Sequence, residues 1–569
     1  MAHAKRTVAG SPAIILSVWT LFTVASALFA GGLRAEGPIV SYGAAPDAVP
    51  GAVLVTADAD GEPSGRILPL ETMRRRFERF SRDDRELYGN AYSNATAHLS
   101  VGTQIPLFEC PDEDIERTYY FRWWTYRKHL RRAGDGWVVT EFLPDVPWAG
   151  SNNTISCAMG HHILEGRWLR KAEWLDGYIR FMAEKGTING PRSYSCWPAW
   201  ATMERAKVTG DTSLAKSLLH AFAANYETWE KGWTAPNGFR TGLTDGLFHQ
   251  RGNNEGTEYA LSKDGARPMS NAAMWAEAGA ISHIARLAGD AALAERFGAK
   301  AAALEKEIET RLWNPEKRFF TSIGVDGKID GVCELHGYAP FYFGMPLGRE
   351  YAAAWKPLMD EAGFHAPAGL TFPRRDTPGF NATPDWSKHE CLWDGPSWPY
   401  ATSVALTALY RSLQGADAGS LPVSAGDFAA LMHQYAAQHV IKLEDGRTVH
   451  WIDENLNPFT GEWQARRILI EQDRRGIRKM RYPERGKDYN HSTFCDLVIA
   501  GLCGFVPQEN GSVVVKPLAP ESWDWWCVDG IRYHGHDVTV LFDRTGNRYG
   551  RGKGLSVLVD GKACKHTSS

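Results

Sequence analysis

Apolar residues recur along most of the chain at helical spacing. Leu293, Phe297, Leu304, Ile308 and Leu312 fall three, four or multiples of those apart, which predicts one buried helix face. Three junctions, Val208-Thr209-Gly210-Asp211, Leu287-Ala288-Gly289-Asp290 and Ser424-Ala425-Gly426-Asp427, each place Gly-Asp directly before an Ala-rich amphipathic run. Gly suits the left-handed position that ends one helix and Asp the N-cap of the next, so each junction predicts a helical hairpin. Repeated hairpins build an open solenoid or a closed toroid. One class of connection here is long, from Thr234 to Pro268, Gly363 to Pro399 and Asp445 to Asn490, and these stretches hold most of the Trp, Asp and Glu of interest. Long loops on one face of a rigid scaffold favour an α/α barrel enzyme. After Pro507 the pattern changes to β-rich runs, Ser512 to Pro517, Val538 to Phe542 and Leu555 to Val559, which predict a small C-terminal β module packed on the barrel.

At 569 residues the chain exceeds one ordinary core. The expected plan is a signal peptide over 1–35, a lead-in or small module over 36–104, the barrel over 105–508 and the β module over 509–569. Lys5 and Arg6 precede an apolar run from Ala13 to Ala30, and Ala25-Ser26-Ala27 has the small-x-small pattern of a cleavage site. Cleavage after Ala27, Ala30 or Ala35 would make the protein secreted or periplasmic. The run is also long enough for a retained membrane anchor.

The net charge of −3, with no basic tract, argues against nucleic-acid or anionic-membrane partners. The 22 Trp are the unusual feature, because such rings line carbohydrate sites as well as helical cores. Nine dispersed cysteines without a C-x-x-C give no zinc ribbon and no dense disulfide framework. They read as small buried residues, with room for one or two bridges. His161-His162-Ile163-Leu164-Glu165 lacks the spacing of helical zinc motifs and reads as buried helix histidines, so no metal or cofactor is expected.

Candidate chemistry concentrates in three loops. The stretch Val449-His450-Trp451-Ile452-Asp453-Glu454-Asn455-Leu456-Asn457-Pro458-Phe459-Thr460-Gly461-Glu462-Trp463 contains two breakers, Pro458 and Gly461, so Glu454 is expected on a loop. A carboxylate between Trp451 and Trp463 suits a sugar site, where rings stack on C–H surfaces and acids move protons. A charged surface loop is the plainer alternative. Earlier come Asn253-Asn254-Glu255-Gly256-Thr257-Glu258-Tyr259-Ala260 and Glu390-Cys391-Leu392-Trp393-Asp394-Gly395-Pro396-Ser397-Trp398-Pro399-Tyr400. Between Tyr119 and His129, Trp124 and Arg127 offer a stacking face and paired hydrogen bonds to a sugar, or equally a core helix with a solvated edge. The loop from Glu141 to Gly150 offers Asp145 and Trp148.

These motifs resemble those of inverting (α/α)6-barrel glycosidases, the mannosylglycerate hydrolase-like and processing α-glucosidase I-like group, with trehalases more distant. The resemblance covers about 105–560. In that group a Gly-x-Asp-x-Ser segment carries the general acid, a Trp- and Pro-containing segment lines the sugar pocket, and a late Glu in Glu-Asn-Tyr-Asn-Pro-x-Thr-Gly is the general base. It implies a mainly α fold, an (α/α)6 toroid, with Glu454 as base and Trp393, Asp394 and Trp398 lining the subsite. Gly256-Thr257-Glu258-Tyr259-Ala260 departs from the pattern, with Glu for Asp and Ala for Ser. The acid is therefore sought first at Glu258, then Glu255, then Asp394. Asp394 also stands where close relatives often carry Arg.

The expected function is exo-acting, inverting hydrolysis of an oligosaccharide or glycoside. Two alternatives remain in view. A polysaccharide lyase on a related toroid would need cations for a uronate, for which Arg127, Arg267 and Lys263 are candidates. A catalytically inactive sugar-binding homologue would fit the altered acid motif.

Overall fold

The computed structural model describes residues 65–564 except 85, 87, 89–90, 135, 185–193, 235–237, 384–386, 388, 416 and 480. The signal-peptide segment and the first half of the lead-in lie outside the described residues. Among those described, helical segments alternate between an outer and an inner layer. The outer members are Glu113–Tyr126, Glu173–Glu184, Leu219–Lys231, Ala291–Glu307, the 3-10 helix Arg349–Leu358 and Ala425–Ala437. The inner members are Met159–Gly166, Pro198–Thr209, Pro268–Ala288, the turn Leu335–Tyr338 running into Ala339–Tyr342, Pro399–Gln414 and the π-helical turn Leu497–Leu502. Burial follows the layers except at Glu113–Tyr126, which the lead-in covers. Every residue of Met159–Gly166 and Leu497–Leu502 is buried, whereas Ala291–Glu307 buries only Leu293, Ala294, Phe297 and Leu304. Its stripe continues through Ile308 and Leu312 in the π turn that follows, as the spacing predicts.

Three buried glutamates hold the inner N-termini. Glu165 accepts the N–H groups of Phe494, Cys495 and Asp496 at 2.9–3.0 Å, so the first inner helix ties to the last and closes the ring. Glu277 takes those of Ala199 and Trp200, and Glu255 that of Ser270. Each satisfies donors that an α-helix leaves open and sits at the positive end of its dipole. Connections from inner to outer members are short, as at 167–172, 289–290 and 343–348. Those from outer to inner are long, as at 127–158, 232–267, 359–398 and 438–493. The long loops therefore share the face onto which the inner N-termini open.

The Gly-Asp junctions divide. Gly289 is left-handed (φ 82°) and Asp290 caps the next helix through Leu293 N at 3.0 Å. Gly210 is also left-handed, but Asp211 sits before the cap. At the third junction Ser424 is the cap and Asp427 its capping-box partner, so Gly426 lies inside the helix.

The C-terminal module is an antiparallel sheet of Trp525–Tyr533, His536–Asp543, Gly554–Val559 and Lys562–Ala563. Its edge partner is Leu107–Glu109, and Asp529 accepts the N–H groups of Ile67 and Leu68 at 2.7–2.8 Å. The sheet thus joins a strand expected in the barrel to the module expected over 509–569. The lead-in carries a helix, Leu70–Asp83, which packs on Glu113–Tyr126.

Candidate active site

The three candidate loops meet around the Glu390 to Trp398 segment. Trp393 N donates to Glu258 O at 3.2 Å, and the Cys391 thiol donates to Glu454 Oε2 at 3.1 Å. Ser397 and Leu456 exchange both backbone hydrogen bonds at 2.9 and 3.0 Å, and Asn455 Nδ2 reaches Glu390 O at 3.0 Å. The acid-loop and base-loop candidates are therefore anchored to one strap between them.

Glu454 is 2% exposed and sits on a loop, as Pro458 and Gly461 predict. Gly461 is left-handed (φ 73°), and Asn457 Oδ1 accepts from Phe459 N and Thr460 N. Asp453 accepts Glu454 N at 2.8 Å and the Trp451 indole at 3.4 Å. Burial raises the Glu454 carboxyl to about 7. Arg485, 3.8 Å away, and the Cys391 thiol oppose the rise, while Glu390 and Asp453 add to it. Arg485 restrains it only in part, because its guanidinium is already paired with Glu390. Burial would raise Glu390 too, but Arg485, His389 and Arg478 hold it near 2.

Glu258 projects between two left-handed residues, Gly256 (φ 76°) and Tyr259 (φ 63°), the second an uncommon conformation for a side chain of this size. It is half-buried, and desolvation lifts its carboxyl to about 7, aided by Glu390 and opposed by the Trp393 indole. Arg267 holds this loop from below, bonding Thr257 Oγ1, Ser262 O and Lys263 O at 3.0–3.1 Å.

Several expected site residues lie elsewhere. Glu255 pairs with Arg267 and accepts from Ser270 N and Oγ. Burial would raise it, yet Arg267 and His336 hold it near 2, so it keeps no proton to donate and is a structural carboxylate. Trp124 is buried against Phe121 with its indole on Ser81 Oγ, and Arg127 bonds Tyr92 O and Asn94 Oδ1. Both belong to the packing of Glu113–Tyr126 against the lead-in, not to a sugar subsite. Trp398 is 2% exposed, donates to Leu392 O and stacks at 3.9 Å on Trp393, so it backs that ring rather than meeting a ligand. Trp451 has Arg466 and Lys487 over its ring and orients Asp453. Trp463 is buried with its indole on Val440 O. Asp394 is buried in the turn before Pro396, its carbonyl on Asn381 N. Asp145 is exposed and paired with Arg131. Trp148 does reach the site: it is half-buried, with Arg485 5.2 Å from its ring centroid.

Three groups escaped the sequence reading. Arg485 and Glu390 form the buried pair beside Glu454. Glu141, 5% exposed, accepts the Trp148 indole at 3.0 Å. An Arg-rich run inside a long acidic loop was the available signal for Arg485; nothing marked Glu141. His161 and His162 are buried in a helix, and the described cysteines are all free. The ligand atoms of His389, Glu390 and Cys391 lie within 4.8 Å of one another, but the guanidinium groups on Glu390 disfavour a cation there. The lyase alternative loses two of its three cations, since Arg267 and Arg127 are engaged in the protein interior, while Lys263 is exposed with its ammonium on Ala260 O.

Residues 151–492 match the family model of the mannosylglycerate hydrolase MGH1-like glycoside hydrolase domain, and 508–566 that of the glycosyl hydrolase family 65 C-terminal domain. A solved structure named as a sialidase is 34% identical and superposes with a TM-score of 0.77 over 88% of this chain, which spans 44% of that one. The GH78 rhamnosidase of a Bacillus species (15% identity, TM-score 0.48, 77% of this chain and 40% of that one) is similar more loosely. So is the GH63 mannosylglycerate hydrolase of Thermus thermophilus (13%, 0.45, 66% and 98%), and neither overlay bears on mechanism. With the family model covering 151–492 of its 569 residues, the chain belongs to the mannosylglycerate hydrolase MGH1-like glycoside hydrolases.

Proposed function

We propose that the chain hydrolyses a glycosidic bond with inversion, with Glu258 as general acid and Glu454 as general base. The supporting observation is the asymmetry of two raised carboxyls anchored to one strap. Glu454 has a guanidinium at 3.8 Å and a thiol donor at 3.1 Å, both favouring its ionised form, and among the described residues no ion pair joins Glu258. Both carboxyls stand near 7, where one can hold a proton while the other is ionised, and the partners of Glu454 suit the ionised role. As the C1–O bond breaks, Glu258 protonates the leaving oxygen. Water attacks C1 from the opposite face and passes a proton to Glu454. Inversion requires the carboxyls to stand about 6.5–9.5 Å apart, leaving room for that water. The near-complete burial of Glu454 supports a narrow pocket and release of a terminal sugar. Export rests on Lys5, Arg6 and the apolar run from Ala13 to Ala30.

The test uses aryl glycosides with good and poor leaving groups, with the product anomer followed by NMR. Glu258→Gln should lower turnover of the poor leaving groups by roughly two to four orders of magnitude and spare the good ones. Equal loss on both would remove Glu258 as acid, and a retained anomer would remove inversion.

A further inference from the structure

The loop that follows the first outer helix carries a carboxyl that the two-residue mechanism does not use. Glu141 follows the strand Gly136–Val139 and is fixed on both sides. Its N–H bonds Asn153 O at 2.7 Å, and Asn153 Nδ2 in turn bonds Phe142 O at 2.7 Å and Pro144 O at 3.0 Å, closing the loop on itself. One carboxyl oxygen accepts the Trp148 indole at 3.0 Å. The Trp148 ring faces the Arg485 guanidinium at 5.2 Å, and Arg485 stands 3.8 Å from Glu454. A continuous chain of contacts therefore links Glu141 through Trp148 and Arg485 to the proposed base.

We propose that Glu141 is a positioning residue of this site, which fixes the Trp148 ring beside Arg485 and so shapes the pocket next to the proposed base. The inference rests on the hydrolytic reading above. The charged groups acting on Glu141 are Glu454, Arg485 and Glu258; the other titratable neighbours, buried Cys157 and Tyr489 and half-buried Tyr194, are pushed upward by desolvation and neutral at working pH. Desolvation lifts Glu141 to about 8, Glu454 and Glu258 add to the rise, and Trp148 and Arg485 oppose it. Glu258, near 7, gives up its proton before Glu141, near 8, so Glu141 is still protonated when the proposed acid ionises and acts on the site through Trp148 rather than through charge.

Glu141→Gln cannot ionise, yet its amide oxygen still accepts from Trp148. Glu141→Ala removes that acceptor and should raise KM several-fold, as Trp148→Phe should, while Glu141→Gln brings KM back to within about twofold of wild type. A KM unchanged in Glu141→Ala, or raised equally in Glu141→Ala and Glu141→Gln, overturns the proposal. A second readout needs no turnover: the infrared C=O band of a protonated carboxyl, assigned by its loss in Glu141→Gln, should vanish as pH passes about 8. Absence of that band at pH 6 also overturns it. If the wild type cleaves no glycoside, the hydrolytic reading fails, and the infrared titration still decides whether Glu141 holds its proton.

Discussion

Gly486 is the position where a single methyl group should disable the proposed base by way of its neighbour Asp453. A Cβ built there would lie 1.9 Å from Asp453 Oδ1, 2.9 Å from Asp453 Cγ and 3.4 Å from Glu454 Cγ. Backbone strain does not enter, since Gly486 is not among the left-handed residues. An ordinary carbon–oxygen contact needs about 3.3 Å, so the Asp453 carboxyl must retreat by about 1.4 Å. It cannot swing freely, because it is buried and holds both Glu454 N at 2.8 Å and the Trp451 indole at 3.4 Å. Overpacking of this kind costs about 1–3 kcal/mol, and loss of the bond to Glu454 N adds about 1 kcal/mol. Displacement of about an ångström at a catalytic group lowers turnover on the order of a hundredfold. We therefore expect Gly486→Ala to fold with a lowered Tm and to lose about two orders of magnitude in kcat, with a smaller change in KM. Steady-state kinetics on an aryl glycoside and a thermal melt measure both. In an Asp453→Ala background the same methyl should cost far less, because the atom it strikes is gone. A kcat within threefold of wild type, or equal losses in both backgrounds, would refute the view that this close approach sets the base.

Glu454→Gln should lower kcat by roughly two to four orders of magnitude at an unchanged Tm; near-normal turnover would remove it as base. Glu255→Gln should act on stability instead. Its folded pKa lies near 2 against an ordinary 4.5, so its contribution, about 3 kcal/mol, is present above pH 4.5 and is lost as pH falls towards 2. Urea melts at pH 7 and pH 3 should differ less in Glu255→Gln than in wild type. Cys391→Ala removes a donor that favours ionised Glu454, so the acid limb of kcat/KM should move to higher pH by less than about one unit, with kcat retained. Trp398→Ala should cost about 3–5 kcal/mol and raise KM, since it withdraws the ring behind Trp393; a change in kcat alone would contradict that role.

Local pattern was enough for the helical stripes, for the short turns at Gly210 and Gly289 and for the β-rich tail, because each follows from residues within a few positions of one another. It also placed Glu454 on a loop, since Pro458 and Gly461 act on their own neighbours. The third junction went astray because Ser424 and Asp427 form a capping box that takes Gly426 into the helix. The longest C-terminal strand, Trp525–Tyr533, escaped notice because its Cys, Asp and Gly interrupt the alternation.

The face on which each aromatic and each charge ends up is a different matter. Trp124, Trp398 and Trp451 have the composition of sugar platforms, yet their rings are covered by Phe121, by Trp393 and by Arg466 with Lys487. Glu255 and Glu258 are three residues apart in one loop and differ in fate because Arg267 reaches the first and not the second. Arg485 finds Glu390 across ninety-five positions. The order of residues along the chain was enough for the repeat, the class of the long loops and the loop position of Glu454. Which of the remaining carboxyls would hold a proton was decided only when the chain closed into a ring, because burial and the nearest cation set a pKa, and both are properties of the folded neighbourhood.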